Sequence, residues 1–283
     1  DPDRRSSAMS TVVFASTFGA VLGPLLVGPA ENLGQDLLGL GRYTGPWLFS
    51  ALFFAGALVN TVVRLRPDPL VVAGGLAAAD EERPSVVVSL RRSWSHAVAT
   101  PSGRLALASM VVSHATMVAV MTMTPVHMKL HGHERTSQFV VAVHIAGMYA
   151  LAPLVGRYAD RAGRERAVQV GSCILVLSTV VAALSGDVEQ LLFPALWLLG
   201  LGWNFGLIGG SSLLTESVPA AERVGVQGSA DLLMSLCGGI AGFGSGFVRR
   251  AVGYHLLAAL ATILVIVLFA VSLRARPRPA VAA

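Results

Sequence analysis

Runs of about 20 apolar residues recur along this chain, and a run of that length is what one helix needs to cross a hydrocarbon core roughly 30 Å thick. Water does not enter such a core to satisfy backbone N–H and C=O groups, so each segment must pair them internally. The pattern therefore predicts an all-α integral membrane protein. Composition agrees: 54% of the 283 residues are hydrophobic and only 13% charged, well away from the balance of a water-soluble domain. Eight spans follow from the runs, at 8–29, 44–64, 103–126, 136–156, 166–185, 190–214, 224–248 and 253–273.

The longest connection, 65–102, carries Arg66, Pro67, Asp80, Glu81, Glu82, Arg83, Pro84, Arg91 and Arg92. It reads as a solvated linker with a surface helix near Trp94, dividing two spans from six. A net charge of +5 raises nucleic-acid binding, but the basic residues fall in alternate loops. Sixteen Lys and Arg lie on the side that holds both termini, the linker and the loop 157–166, and five (Arg42, Lys129, Arg135, Arg249, Arg250) on the other. The positive-inside rule then puts both termini of the chain in the cytoplasm, in a multi-pass protein of the cell membrane with no nucleic-acid partner. Lys129 is the sole lysine, a bias that fits a GC-rich bacterial genome. The first ten residues, DPDRRSSAMS, have neither the pattern of a signal peptide nor an initiating Met. Cys173 and Cys237 fall within apolar spans, where packing is the expected role and no disulfide is indicated.

Between the fourth and fifth spans the chain reads Gly156, Arg157, Tyr158, Ala159, Asp160, Arg161, Ala162, Gly163, Arg164. A charged tight turn packed between helix ends accounts for such a loop in plain terms. The spacing GxxxDRxGR is more specific, and it resembles the signature loop of the major facilitator superfamily, which lies between the second and third helices and recurs in the second half. The first span carries Gly19, Gly23, Pro24, Gly28 and Pro29, similar to the glycine-proline motif that many antiporters of the family hold in helix five. It departs from that motif in having Val27, Gly28 and Pro29 where a glycine pair is usual.

The resemblance sets every landmark in register. It implies a helical bundle of that family whose eight membrane helices correspond to helices five to twelve. Residues 1–64 would be the last two helices of the N-terminal bundle, 65–102 the central cytoplasmic loop, and 103–283 the C-terminal six-helix bundle and tail. About four helices would precede Asp1. The gating residues would be Gly156, Asp160, Arg161, Gly163 and Arg164, with Asp160 approaching the start of the first span near Ser7 and Ala8. Gly19, Gly23, Pro24 and Gly28 would form a hinge or packing face. An echo at an offset of 219 residues, Arg4 with Arg223 and Gly19, Gly23 with Gly238, Gly242, fits a parallel repeat. Close helix packing explains the same glycines in any membrane bundle.

Ionisable residues inside a span cost a few kcal/mol each, roughly, and so are functional candidates. His114 in the third span and Trp203 and Asn204 in the sixth lie on helices that line the family's central cavity, and with His144 they are the substrate-facing candidates. A histidine bonded to a neighbouring helix is the plain alternative. Asp231 is expected to satisfy a helix terminus at the cytoplasmic end, in the same region as Arg223, Glu216 and Glu222. Met117, Met121, Met123 and Met128 cluster near the end of the third span, where packing or an adaptable ligand surface are the two readings. His127, His131 and His133 crowd the following loop, but no spacing there matches a closed zinc site, and Ser137 stands where HExxH needs its second histidine. No metal or cofactor is expected.

An enzyme is not expected either. Phe243 breaks a GxSG pattern around Ser245, and no phosphate-binding glycine loop with Lys occurs. The expected function is secondary active transport of a small organic solute, drug or metabolite, proton-coupled and by alternating access, as efflux or antiport, with a monomer at full length. A non-transporting binding or sensory module on the same helices is the alternative.

Overall fold

A computed structural model describes residues 4–39, 41, 44–67, 72, 94–95, 97–186, 188–219 and 222–274. Most of the linker 65–102 lies outside the described residues, with Arg83, Arg91 and Arg92, as do Arg42, Arg276 and Arg278. Trp94 and Ser95 are helical and exposed.

The described elements are α1 (Arg5–Leu38), α2 (Thr44–Arg64), α3 (Pro101–Leu130), α4 (Glu134–Tyr149), α5 (Ala152–Ala162), α6 (Arg164–Leu184), a 3-10 turn (Glu189–Leu191), α7 (Leu192–Glu216) and α8 (Arg223–Arg274). No strand occurs among the described residues. Six stretches are long and apolar enough to cross a membrane: Thr44–Arg64, Pro101–Leu130, Phe139–Ala162, Arg164–Leu184, Glu189–Glu216 and Arg223–Arg274. The span predicted at 8–29 is helical throughout within α1 but is not one of these six.

Two boundaries differ from the sequence reading. The span at 136–156 is interrupted after Tyr149, because Pro153 has no N–H for the carbonyl of Tyr149 and its ring crowds that turn. The loop expected between 248 and 253 does not exist. Instead α8 runs through both predicted spans and reverses at the single residue Gly253, whose φ of 84° and ψ of 171° lie where only glycine is comfortable.

The chain divides into two compact units, residues 19–86 and residues 1–18 with 87–283. In the smaller unit α1 ends at Gly39, whose φ is +60°, and α2 crosses it so closely that a Cβ on Gly45 would overlap the carbonyl of Ala30. Leu52, Phe53 and Phe54 on α2 are exposed, a surface suited to hydrocarbon.

In the larger unit α7 is the central element. Leu196, Leu199, Ile208 and Leu214 on it are fully buried, and it packs on α3, α4, α5 and α6. Approach at backbone distance is what makes this possible: a Cβ on Gly200 would fall on the carbonyl of His144 in α4, and one on Gly206 would stand 2.6 Å from Ser113 Oγ in α3. Hydroxyls join other pairs, with Thr262 donating to Thr179 at 2.8 Å between α8 and α6, and Thr124 bonded to Tyr254 at 2.8 Å between α3 and α8.

Candidate functional site

The GxxxD spacing in α5 places Gly156 and Asp160 one above the other on the same helix face, and both meet the first turn of α1. At Gly156 there is no side chain to hold α1 away; a Cβ there would sit 2.7 Å from the carbonyl oxygen of Ser6 and against Ser10 Oγ. One turn on, the Asp160 carboxylate accepts three hydrogen bonds from α1. They come from the backbone N–H of Ser6 at 3.1 Å, the backbone N–H of Ser7 at 2.9 Å and the Ser7 hydroxyl at 2.6 Å. The first N–H groups of a helix have no partner within it and carry the positive end of its dipole, so a carboxylate is the natural occupant.

Arg164 lies on the next turn, past the chain reversal at Gly163 (φ +102°). Its Nη2 reaches Asp160 at 3.3 Å and Glu216, at the last turn of α7, at 2.9 Å. Beside this, the Ser6 hydroxyl donates to Ser212 of α7 at 2.9 Å. The start of α1, the α5–α6 corner and the end of α7 are thus held by one polar cluster. Arg161 is exposed on the last turn of α5, where a cation favours the dipole. The sequence reading treats Gly156–Ala162 as loop; the structure makes it helix, and Gly163 alone is the turn.

Elsewhere on α7, Trp203 donates its indole N–H to His114 Nδ1 of α3 at 3.0 Å. The tryptophan, 5% exposed, also meets Tyr149 edge-on at a ring separation of 6.0 Å. A Cβ on Gly238 of α8 would collide with the His114 ring, so α8 packs against the same histidine. Asn204 is fully buried, and neither atom of its amide has a hydrogen-bond partner among the described residues. His144 is fully buried as well, and donates Nδ1–H to the carbonyl of Leu196 at 2.9 Å. The structure thus brings His114 and Trp203 together, while His144 serves the contact between α4 and α7.

Arg223 donates Nε–H to the carbonyl of Thr215 at 2.8 Å and so satisfies the end of α7. Asp231 does not do the equivalent. Its carboxylate is exposed and accepts from Gln227 at 2.8 Å, while Gln227 in turn accepts from Ser211 at 2.7 Å. The reason is spacing: Asp231 stands two turns inside α8, where backbone N–H groups are already used. No atom among the described residues lies within 4 Å of a Cβ built on Gly19, Gly23 or Gly28. α1 continues unbroken through Pro24, whose side chain lies outside the described residues.

Sequence reasoning missed Ser6, Ser10, Ser212 and Tyr149. Serines carry no pattern in an apolar run, and Tyr149 matters only because the helix breaks beside it.

Known proteins match this chain over its whole length. The family model described as "Major Facilitator Superfamily" covers residues 1–242 and 105–283. An uncharacterized MFS-type transporter of Bacillus subtilis, YdeG, is 36% identical over 97% of the chain and 64% of its own length. A second from the same organism, YddS, is 35% identical over 95% and 62%. The riboflavin transporter RfnT of Brucella anthropi is 28% identical over 99% and 67%. The chain thus spans about two thirds of the length of these relatives.

Proposed function

The chain belongs to the major facilitator superfamily, whose members are membrane transporters and not enzymes, and from that premise we propose that it works in secondary active transport of a small organic solute across the cell membrane. The observation that carries this reading is the Asp160 cluster. A carboxylate on one helix corner holds the N-terminus of α1 through hydrogen bonds that a small separation would release. Such a contact has two arrangements, made and broken, as alternating access requires. Gly156, Asp160, Arg161, Gly163 and Arg164 are the gate in this reading, both termini of the chain are cytoplasmic, and the gate closes the cytoplasmic side.

His114, Trp203 and Tyr149 offer aromatic faces, and Asn204 offers the two N–H donors and the carbonyl acceptor of its amide. These suit a planar heteroaromatic solute, and riboflavin, the solute named for one relative, is the first to try. Proton coupling is favoured by His114, an ionisable group held inside a span. The likeness of Gly19, Gly23 and Pro24 to an antiporter motif favours export.

The test is flux in proteoliposomes holding the full-length protein. Solute movement driven by an imposed pH gradient and slowed by Asp160→Asn is expected. Flux indifferent to every ion gradient overturns the coupling, and wild-type flux in Asp160→Asn overturns the gate.

A further inference from the structure

The ring of His114 is held from two sides. Trp203 of α7 donates its indole N–H to Nδ1 at 3.0 Å. The bare backbone of α8 meets the other edge at Gly238, where a Cβ would stand 2.7 Å from Nε2. An indole nitrogen only donates, so Nδ1 of His114 holds a lone pair and the proton of the neutral ring sits on Nε2.

We propose that a proton and the Trp203 indole compete for this one lone pair, so that His114 takes up a proton at Nδ1 only as Trp203 leaves it. A second proton has no other nitrogen to occupy, and an imidazolium donates from both nitrogens. The indole N–H would then face another donor. The step needs only a proton from water: an N–H bond forms at Nδ1, the hydrogen bond from Trp203 breaks, and the ring gains one positive charge. This competition deepens the proton coupling proposed above, and its use in transport rests on that reading.

The two backbones are fixed to each other beside the bond. One turn along α7, Ser109 donates to the carbonyl of Gly206 at 3.1 Å, and a Cβ on Gly206 would stand 2.6 Å from Ser113 Oγ. Trp203 therefore leaves by rotating its own side chain, not by parting the helices. It is 5% exposed, and the ring it turns against is Tyr149, edge-on at 6.0 Å. Tyr149 is the last residue of α4, before the interruption that precedes α5 and Asp160. The displaced indole thus presses on the chain where helix bonding is already broken.

No charged group bonds to His114 among the described residues. α7 carries no ionisable side chain between Leu192 and Thr215. α8 has Cys237 beside Gly238, and Asp231, its one acidic residue, two turns earlier on the same face. α4 has Tyr149, which touches Trp203, and His144, fully buried on the Leu196 carbonyl. Cys173 of α6 is exposed, and the other ionisable residues of α3, Arg104, His127 and Lys129, lie near its ends. His114 itself is half-buried, so water reaches one side of the ring.

The experiment is nuclear magnetic resonance of the full-length protein in detergent micelles, with nitrogen-15 in tryptophan and histidine. The two signals are assigned by their loss in Trp203→Phe and His114→Gln. At high pH His114 is expected as the Nε2–H tautomer; as pH falls, the imidazolium appears and the Trp203 indole signal shifts with the same midpoint. Trp203→Phe removes the competitor, so its His114 binds a proton about 2- to 10-fold more tightly, the worth of one hydrogen bond. In His114→Gln, whose amide oxygen still accepts, the indole signal no longer follows pH. An indole signal that stays in place through the His114 titration overturns the proposal. So does a His114 that remains neutral over the whole pH range in which the protein is folded, or an unchanged proton affinity in Trp203→Phe. None of these readings uses flux, so a pH-blind indole in a protein with proton-driven flux overturns the competition and leaves the transport reading standing.

Discussion

The carboxylate of Asp160 receives the backbone N–H of Ser7 at 2.9 Å across 153 residues of sequence. A helix of 34 residues therefore begins on a cap supplied by a distant corner of the fold. Replacing Asp160 with alanine removes that cap while the contact of Arg164 with Glu216 stays; a loss of about 0.5–2 kcal/mol is expected, read as a lower melting temperature. Asp160→Asn keeps an acceptor but not the charge and loses less.

Gly156→Ala drives a methyl group into Ser10 and the Ser6 carbonyl and should separate α1 from α5. Ser10→Gly relieves one of the two contacts and not the other, so the double variant recovers part of the loss. A cross-link between cysteines placed at Ser7 and Arg161 should form more slowly in Gly156→Ala than in an otherwise wild-type chain.

Trp203→Phe keeps a ring in place and deletes the N–H that His114 accepts. The expected cost in stability is about 0.5–1.5 kcal/mol. If the pair faces the solute, KM rises more than the maximal rate falls, whereas a packing role alone leaves KM unchanged.

Asn204→Leu should be tolerated thermally. An amide with no partner among the described residues is already a burden, and replacing such a group by an apolar one of similar size is close to neutral or stabilising. Solute transport should nonetheless fall, since a buried amide retained at this cost is explained by what it binds. A variant that keeps full transport removes Asn204 from the site.

Gly253→Ala places a side chain at φ +84°, a conformation that costs roughly 1–2 kcal/mol for an L-residue with a Cβ. Thermal melting of the variant in detergent measures it.

Membrane crossings were legible because their signal is length, and length survives any packing arrangement. The meeting of Asp160 with the first span came from resemblance: it pointed to Ser7 and Ala8, and the bonds fall on Ser6 and Ser7. What stayed hidden is set by the third dimension. Pro153 reads as one more residue in an apolar run until the broken turn puts Tyr149 beside Trp203. Asp231 and Arg223 look alike as charges near a helix end, yet only Arg223 has an N–H to give the Thr215 carbonyl, while Asp231 stands two turns inside α8 and accepts from Gln227.

The reversal at Gly253 bears on how the protein is made. At 1.5 Å per residue, the 52 residues of α8 would reach about 78 Å if straight, more than twice the hydrocarbon core. Since the two arms share no intervening loop, the membrane-insertion machinery receives them as a single hairpin.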